Sequence, residues 1–411
     1  MGDTRVRYLP LFELRTEYKM AATGSKAKVD VAPGVLTWAR ETVGLPVELA
    51  AKRLGLKVDT LTAMEAGVRT VTLGNLRKMA EHYDRPLIAF FLPAPPEEEE
   101  TIPDFRVIEE GESRTWSPAL VKAYRRAIGQ RDVMLDLAES DEGDEQIPSI
   151  EVRIDPKIPA EAAAQIIRDW LSPPSIRSNS PYDHFNAWVS RVEDKGILVT
   201  QMSDVSIEEA RGFSVGQFPL PVIALNGADF PRGKLFTLLH ELVHILLHQS
   251  ALCNLEDAPI PNVGNEGRRL EWYCNSVAAA VLMPGNAVID AVNERRHEKL
   301  QWSSEELRDL ATEFGVSTEA MLVRLVSLQL ASRGEYQARR SVFLEQYQEL
   351  RRNRTGFITY YNKQIRNLSR RYVEYVWRAY ERGAVSETEL GTYLNVKPQN
   401  VAKLIERADV A

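Results

Sequence analysis

Apolar residues recur at helical spacing near the start of the chain and predict a set of short helices. Within residues 33–92 these helices are predicted at Pro33–Thr42, Val47–Leu54, Val58–Glu65 and Leu73–Tyr83. Ala51 places a small residue inside the second helix, and Gly55 opens the turn before the third. This arrangement is typical of a helix-turn-helix. We therefore expect a helix-turn-helix domain over residues 33–92, preceded by a flexible arm at residues 1–32.

The next segment, residues 93–150, has little capacity to form a core of its own. Pro93–Glu100 contains three prolines and then four consecutive glutamates, which is the composition of a linker. Trp116–Glu139 has the spacing of one long helix, and the acidic run Glu139–Glu145 predicts a second break. The segment is therefore predicted to be a linker that carries one long helix.

Residues 151–290 alternate between helical and strand patterns and predict an α+β domain. The predicted helices and strands are Ala160–Leu171, Phe185–Lys195, Ile197–Gln201, Val222–Leu225, Leu235–His248 and Leu270–Leu282. Val222–Leu225 is either an edge strand that pairs with an extended peptide or a plain core strand, because its apolar pattern fits both.

Residues 291–411 predict a helical C-terminal region. Ser304–Leu330 and Ser386–Ile405 each resemble a small helix-turn-helix unit, with turns at residues 315–317 and 395–397. We interpret them as helix-turn-helix-like units. Their role is open, and packing is the simplest role for them. The whole chain is thus expected to be a multidomain α+β protein.

Composition narrows the class of protein. The chain has 411 residues, of which 44% are hydrophobic, and its net charge of −7 gives no global attraction to nucleic acid or membrane. Two cysteines in this length indicate a reducing compartment, so we expect a cytoplasmic protein. No apolar run reaches the roughly 18 residues of a membrane span, and no membrane association is expected.

The most informative segment is the helix predicted at Leu235–His248. It contains His240 and His244 four residues apart, with Glu241 between them. Residues at this spacing share one helix face, so both imidazoles can bind one Zn²⁺ ion. Glu241 follows the first histidine directly, where it can act as general base toward a water molecule. Ordinary histidines on a helix are the alternative, but three of the six histidines fall within nine residues of an apolar helix.

A catalytic zinc ion needs a third protein ligand. His248 lies two turns beyond His240, about 12 Å along the axis, which is too far for one straight helix to surround an ion. Glu271 begins the next predicted helix and is favoured as the third ligand, while Cys274, one turn further on, is a weaker candidate. His248 is assigned to support of the ligands or to packing, with ligation as its alternative role. Tyr273, His248 and His184 remain as candidates for stabilising the oxyanion.

The order of motifs resembles the ImmA/IrrE family of metallopeptidases fused to an XRE-type helix-turn-helix domain. The resemblance rests on residues 38–40, 64–67, 101–106, 211–214, 223–226 and 236–244, on Glu271, and on residues 274–275 and 282–284. It implies a zincin-like, gluzincin-type core with Glu271 as third ligand. It also implies an endopeptidase that cleaves a repressor-type regulator in stress response or mobile-element control.

The charge of the helix-turn-helix domain bears on whether this domain binds nucleic acid. The helix-turn-helix domain carries eight basic and six acidic residues, a weak electrostatic footprint. Its candidate DNA contacts are Lys52, Arg53, Lys57, Thr60, Thr62 and Arg69. Dimerisation and substrate docking are equally good roles for this domain, and a homodimer is left open.

A more basic segment spans residues 333–371, with ten Lys and Arg residues against three glutamates and with interleaved tyrosines. It could contact DNA or an acidic partner, but a solvated helix face is the preferred interpretation. The leading hypothesis is a zinc endopeptidase whose protein substrate is a helix-turn-helix regulator. A DNA-binding transcription regulator with a sensory or structural metal site is the alternative, and an adaptor with a vestigial metal site is a third.

Overall fold

The structure, a computed structural model, describes residues 27–96, 116–140, 147–175, 180–248, 251–253, 266–295, 301–353 and 359–408. The predictions made for residues 1–26, 97–106 and 141–145 lie outside these ranges. The chain divides into two compact units. One contains residues 1–102, 110–144 and 372–411, and the other contains residues 103–109 and 145–371.

The first unit contains the predicted helix-turn-helix domain. Its helices are α1 (Pro33–Glu41), α2 (Val47–Leu54), α3 (Val58–Glu65) and α4 (Leu73–His82), which confirms all four predicted helices. A two-stranded antiparallel sheet joins β1 (Lys28–Val29) to β2 (Val71–Thr72), so part of the expected flexible arm is paired backbone. Gly55 has a φ of 68° at the end of α2, a conformation that glycine adopts without strain.

The rest of the first unit is also helical in the described residues. It contains α5 (Pro118–Ser140), which corresponds to the predicted long helix. It also contains the three helices of the C-terminal segment, whose bounds follow below. The core of the helix-turn-helix domain is built from buried residues such as Leu36, Leu61, Leu76 and Met79, and Val121 of α5 packs against it.

The second unit is built around a four-stranded sheet. Its strands are β3 (Leu198–Met202), β4 (Gly212–Val215), β5 (Val222–Asn226) and β6 (Ala251–Cys253), in the order β3-β5-β4-β6. β3 and β5 are parallel, whereas β4 is antiparallel to both of its neighbours. The sequence did not predict β4 or β6, because strands of three or four residues are too short to show a period.

β5 is an inner strand of this sheet. Val222 pairs with Leu198 on one side and with Val215 on the other, and every residue of β5 is buried. The prediction that Val222–Leu225 could be an edge strand is therefore wrong, and the core-strand interpretation is correct. The error arose because an apolar run shows that a strand is buried but not which strands pair with it.

Helices cover the sheet and supply the core of the second unit. They are α6 (Ala160–Leu171), α7 (Pro181–Glu193), α8 (Pro231–Leu246), α9 (Glu266–Leu282), α10 (Gly285–Glu294), α11 (Ser304–Glu313), α12 (Thr318–Ser327), α13 (Arg333–Arg352) and α14 (Tyr360–Leu368). One hydrophobic core runs from Ile154 to Tyr336 and includes α11 and α12. α8 begins at Pro231 rather than at the predicted Leu235, because proline fits the first helical position, where no backbone donor is needed.

The C-terminal segment contains α15 (Arg370–Glu381), α16 (Glu387–Tyr393) and α17 (Val401–Ala408). Among the described residues no single helix is long and apolar enough to cross a membrane. Arg269–Leu282 and Gly285–Glu294 meet that test only as a pair, and the two helices are bent by 53° at their junction.

Candidate metal centre

The predicted metal ligands lie together between α8 and α9. His240 and His244 are buried on one face of α8, and Glu271 on α9 approaches them from the second helix. Nε2 of His240 is 3.1 Å from Nε2 of His244. Each Nε2 is 3.3 Å from one carboxylate oxygen of Glu271.

These separations can be compared with what a zinc ion requires. Ligand atoms about 2.0–2.1 Å from a tetrahedral ion lie about 3.3 Å from one another. The two Nε2 atoms match this spacing, and each lies the same distance from a different oxygen of the Glu271 carboxylate. The donor set of two imidazoles and one carboxylate is one that zinc takes at catalytic sites. The residues therefore fit a three-ligand zinc site.

Charges within the cluster favour this arrangement. Burial raises the pKa of Glu271, but the adjacent His240 and His244 outweigh burial and hold its pKa below the usual value. Burial lowers the pKa of His240, yet Glu271, Glu241 and Asn275 together leave that pKa raised. The carboxylate of Glu271 is thus stabilised in the ionised form that binds a metal.

Glu241 lies beside the ligands and is fully buried. Among the described residues neither of its carboxylate oxygens has a hydrogen-bond partner of standard geometry, and the hydroxyl of the neighbouring Ser214 has none either. Burial raises the pKa of Glu241, with the two histidines and Ser214 acting in the opposite direction. An unpaired buried carboxylate is costly, and such groups concentrate at functional sites.

The strand β4 supplies two residues at this carboxylate that the sequence did not single out for a role. A Cβ atom on Gly212 would stand 3.0 Å from Oε1 of Glu241 and 2.6 Å from Cγ2 of Thr237. Ser214, two residues on, interacts with Glu241. The only signal for both was the segment at residues 211–214 in the family resemblance, because β4 itself was not predicted.

Two further residues of α9 interact with the histidines. Sγ of Cys274 is 3.8 Å from Nδ1 of His244, so Cys274 faces the nitrogen opposite the ligand atom rather than joining the ligands. Asn275 interacts with His240 through its side chain and raises the pKa of that histidine. A partner at Nδ1, as Cys274 is for His244, selects the tautomer that leaves Nε2 available to a metal.

The three residues considered for stabilising the oxyanion make contacts with other parts of the second unit. His248 is exposed just after α8 and stacks on Phe218, with ring centroids 4.7 Å apart. The hydroxyl of Tyr273 donates to the backbone carbonyl of Asp155 at 3.2 Å, which uses the proton that an oxyanion stabiliser would donate. His184 packs against the backbone of Gly315.

The predicted DNA contacts lie on the surface of the first unit. Lys52, Arg53, Lys57, Thr62 and Arg69 are exposed, whereas Thr60 is partly buried. The acidic Glu65 of the same helix is not part of that surface, because its carboxylate accepts hydrogen bonds of 2.8 and 3.0 Å from Arg40.

In the basic segment 333–371, several charges are paired with acidic residues of the second unit. Arg339 pairs with Glu335, Arg351 with Glu208 and Lys363 with Asp204. The tyrosines are used in a similar way, since Tyr336 donates to Glu319 and Tyr347 to the buried Asp229.

The fold and this cluster define a protein that joins a helix-turn-helix domain to an α+β domain with a three-ligand metal-binding group. Comparison with known families agrees: residues 192–326 match the IrrE N-terminal-like domain, a peptidase family, and residues 36–90 match a helix-turn-helix family. The chain therefore carries the predicted fusion of an XRE-type helix-turn-helix domain to an ImmA/IrrE-like peptidase domain. No curated protein and no solved structure matches the chain.

Proposed function

We propose that the second unit is a zincin-like, gluzincin-type endopeptidase domain in which His240, His244 and Glu271 hold Zn²⁺. The convergence of these three side chains at 3.1–3.3 Å carries the proposal. Zinc supplies Lewis acidity, which activates water and polarises a peptide carbonyl.

Glu241 acts as the general base in this proposal. Its oxygens lie beside the ligands and have no hydrogen-bond partner of standard geometry among the described residues, so an oxygen is available to accept a proton. Oε1 or Oε2 takes the proton of the attacking water and returns it to the nitrogen of the leaving amine. Gly212 has no side chain to crowd Oε1, and Ser214 lies beside the carboxylate.

An extended substrate segment is proposed to pair with β6, the edge strand next to β4. β6 has no second strand partner in the described part of the sheet. The opposite edge, β3, is already in contact with α14, where the Thr200 hydroxyl donates to the carbonyl of Asn367 at 2.5 Å. Backbone pairing at a sheet edge holds a peptide in the extended form that hydrolysis needs.

The substrate is proposed to be a helix-turn-helix regulator, and cleavage then serves stress response or mobile-element control in the cytoplasm. The match of residues 36–90 to a helix-turn-helix family supports this, because such a domain can bring the peptidase to DNA or to a like domain. Lys52, Arg53, Lys57, Thr60, Thr62 and Arg69 are the proposed DNA contacts of the domain.

A trapping comparison tests this function. Tagged wild type, Glu241→Gln and His244→Ala would be expressed in the native cell and recovered with their bound proteins and DNA. We expect Glu241→Gln to keep its zinc, to lose activity by about 100-fold or more, and to retain an intact protein that wild type releases as fragments. His244→Ala should lose zinc and activity together.

The alternative function predicts a different result. Full activity in Glu241→Gln would refute the proposed role of that residue. If wild type and Glu241→Gln instead recover the same DNA and no protein is held by the variant, the chain is a transcription regulator with a sensory or structural metal. If purified wild-type protein contains no metal, the third hypothesis, an adaptor with a vestigial metal site, is favoured.

A further inference from the structure

Three segments of the chain share one helix-turn-helix register. A left-handed residue ends the first helix of each pair: Gly55 with φ 68°, Gly315 with φ 68° and Asn395 with φ 49°. Each is preceded by a small residue four positions earlier and followed directly by an apolar residue. The small residues are Ala51, Ala311 and Gly391, and the apolar residues are Leu56, Val316 and Val396.

The third segment is built as tightly as the first. α16 begins with a capping box at Ser386, and a Cβ atom on Gly391 would lie 3.1 Å from the carbonyl oxygen of Val396. The chain therefore needs a small residue at this position to pack the turn against the helix. Leu390, Leu394, Leu404 and Ile405 are buried and hold α16 and α17 together.

The middle segment uses its second helix for packing. Leu322 and Leu325 of α12 lie in the hydrophobic core of the second unit. Glu319, near the start of that helix, accepts a hydrogen bond from the Tyr336 hydroxyl. The second helix of this segment therefore presents no exposed face to which a large ligand could bind.

The C-terminal segment exposes the corresponding face. Its exposed residues from the turn through α17 are Asn395, Lys397, Pro398, Gln399, Ala402, Lys403, Glu406 and Arg407, with Asn400 partly buried. Three basic residues oppose one acidic residue, a net charge of +2. Lys, Arg, Asn and Gln are the side chains that pair with base edges in the major groove.

The N-terminal segment offers poorer chemistry at the same positions. Asp59 occupies the position of Gln399, and Ala63 and Gly67 occupy the positions of Lys403 and Arg407. Asp59 is exposed, and an acidic side chain there is less suited to approach phosphates and guanine edges, while Ala63 and Gly67 have no side-chain donor. Of the two exposed helix faces, the C-terminal one has the better complementarity to DNA.

We propose that Ser386–Ala408 is a second nucleic-acid site that reads duplex DNA, with the turn and the start of α17 in the major groove. Gln399, Lys403 and Arg407 reach base edges or adjacent phosphates, and Lys397 contacts the backbone. This site does not depend on the peptidase activity proposed above, and loss of that activity leaves it intact.

The test is selection of bound sequences from a pool of random duplexes by the purified full-length protein. Wild type should enrich one sequence. Gln399→Ala, which removes no charge, should relax the preference at one base pair by about tenfold. The double variant Lys403→Ala/Arg407→Ala should bind that duplex at least about tenfold more weakly and show a reduced dependence of affinity on salt.

The matched control is Arg77→Ala/Lys78→Ala, which removes two exposed positive charges from α4, outside both the proposed DNA contacts at residues 52–69 and the C-terminal segment. It should leave the enriched sequence unchanged. Because all of the substituted residues are exposed, thermal unfolding of each variant should stay close to wild type. The proposal is overturned if wild type enriches no sequence, if the C-terminal variants keep the affinity and preference of wild type, or if both double variants weaken binding equally without a change of preference.

Discussion

Gly212 on β4 lies directly against Glu241 on α8, because a Cβ atom at position 212 would be 3.0 Å from Oε1 of that carboxylate. The same atom would be 2.6 Å from Cγ2 of Thr237 and 3.2 Å from the carbonyl oxygen of Ala224. Gly212 thus meets Thr237 and Glu241, which lie 25 and 29 positions further along the chain, with no room for a side chain at the proposed catalytic base.

Gly212→Ala should therefore destabilise the second unit. Inserting one methyl group into a packed contact costs about 1–3 kcal/mol, and here the carboxylate and the Thr237 side chain must both shift. Urea unfolding of the purified protein measures the loss. Gly334→Ala is the matched control, since its Cβ would meet only Ser332 Oγ at 3.9 Å; it should be neutral or slightly stabilising. Equal unfolding midpoints for the two variants would rule out the close contact.

A second prediction concerns the support of His240 by Asn275. If Asn275 holds the imidazole in the tautomer that presents Nε2, Asn275→Ala should weaken zinc binding by about 10–100-fold. Competition with a chromophoric chelator measures the zinc dissociation constant without a substrate. Ser276→Ala is the control, because the Ser276 hydroxyl donates to the carbonyl of Trp272 within its own helix. Unchanged zinc affinity in Asn275→Ala would show that packing alone orients His240.

The metal centre was largely predictable from the sequence, for a physical reason. His240 and His244 are brought together by the period of one helix, and the geometry of that helix favoured a third ligand on the next helix over His248. Gly212 and Ser214 were not predictable, because their contact with Glu241 depends on the pairing of β4 with β5 and β6. Strand pairing is long-range and leaves no period in a four-residue segment, which is also why β5 was not recognised as an inner strand.

A third prediction concerns the helix-turn-helix domain, where Arg40 of α1 pairs with Glu65 of α3. The two side chains are only 11% and 10% exposed, and the pair is bidentate. Removing Glu65 takes the bidentate partner from the largely buried Arg40 and leaves it the exposed Glu41 and the carbonyl of Leu45. The loss should therefore be smaller than the roughly 3–5 kcal/mol of a fully broken buried pair. Glu65→Ala should accordingly raise hydrogen exchange throughout α1–α3, measured by mass spectrometry.

The control for that experiment uses a second acidic neighbour of Arg40. Glu41 also lies 3.3 Å from Arg40, but its side chain is 62% exposed. An exposed pair contributes less than about 1 kcal/mol, so Glu41→Ala should leave the exchange pattern close to wild type. If the two variants exchange alike, the Arg40–Glu65 pair does not hold α1 to α3.

The last prediction is a pH dependence that arises from Glu193 at the end of α7. Burial of the carboxyl group raises its pKa from 4.5 to about 8, against the hydrogen bonds from Ser369 and the Val199 backbone and the charge of Arg371. The folded protein therefore keeps a proton on Glu193 between about pH 4.5 and 8, where the unfolded chain has lost it. Stability contributed by this residue falls as the pH rises through that window.

Glu193→Gln should remove this dependence, because the amide is neutral at every pH and can still accept the 2.9 Å hydrogen bond from the Ser369 hydroxyl. Urea unfolding at pH 5 and at pH 8 gives the two free energies of unfolding for each protein. The decrease from pH 5 to pH 8 should be smaller in Glu193→Gln than in wild type, and Asp194→Asn, which removes the adjacent exposed carboxylate, should decrease as wild type does. An equal decrease in Glu193→Gln and wild type would mean that Glu193 titrates alike in the folded and unfolded chains.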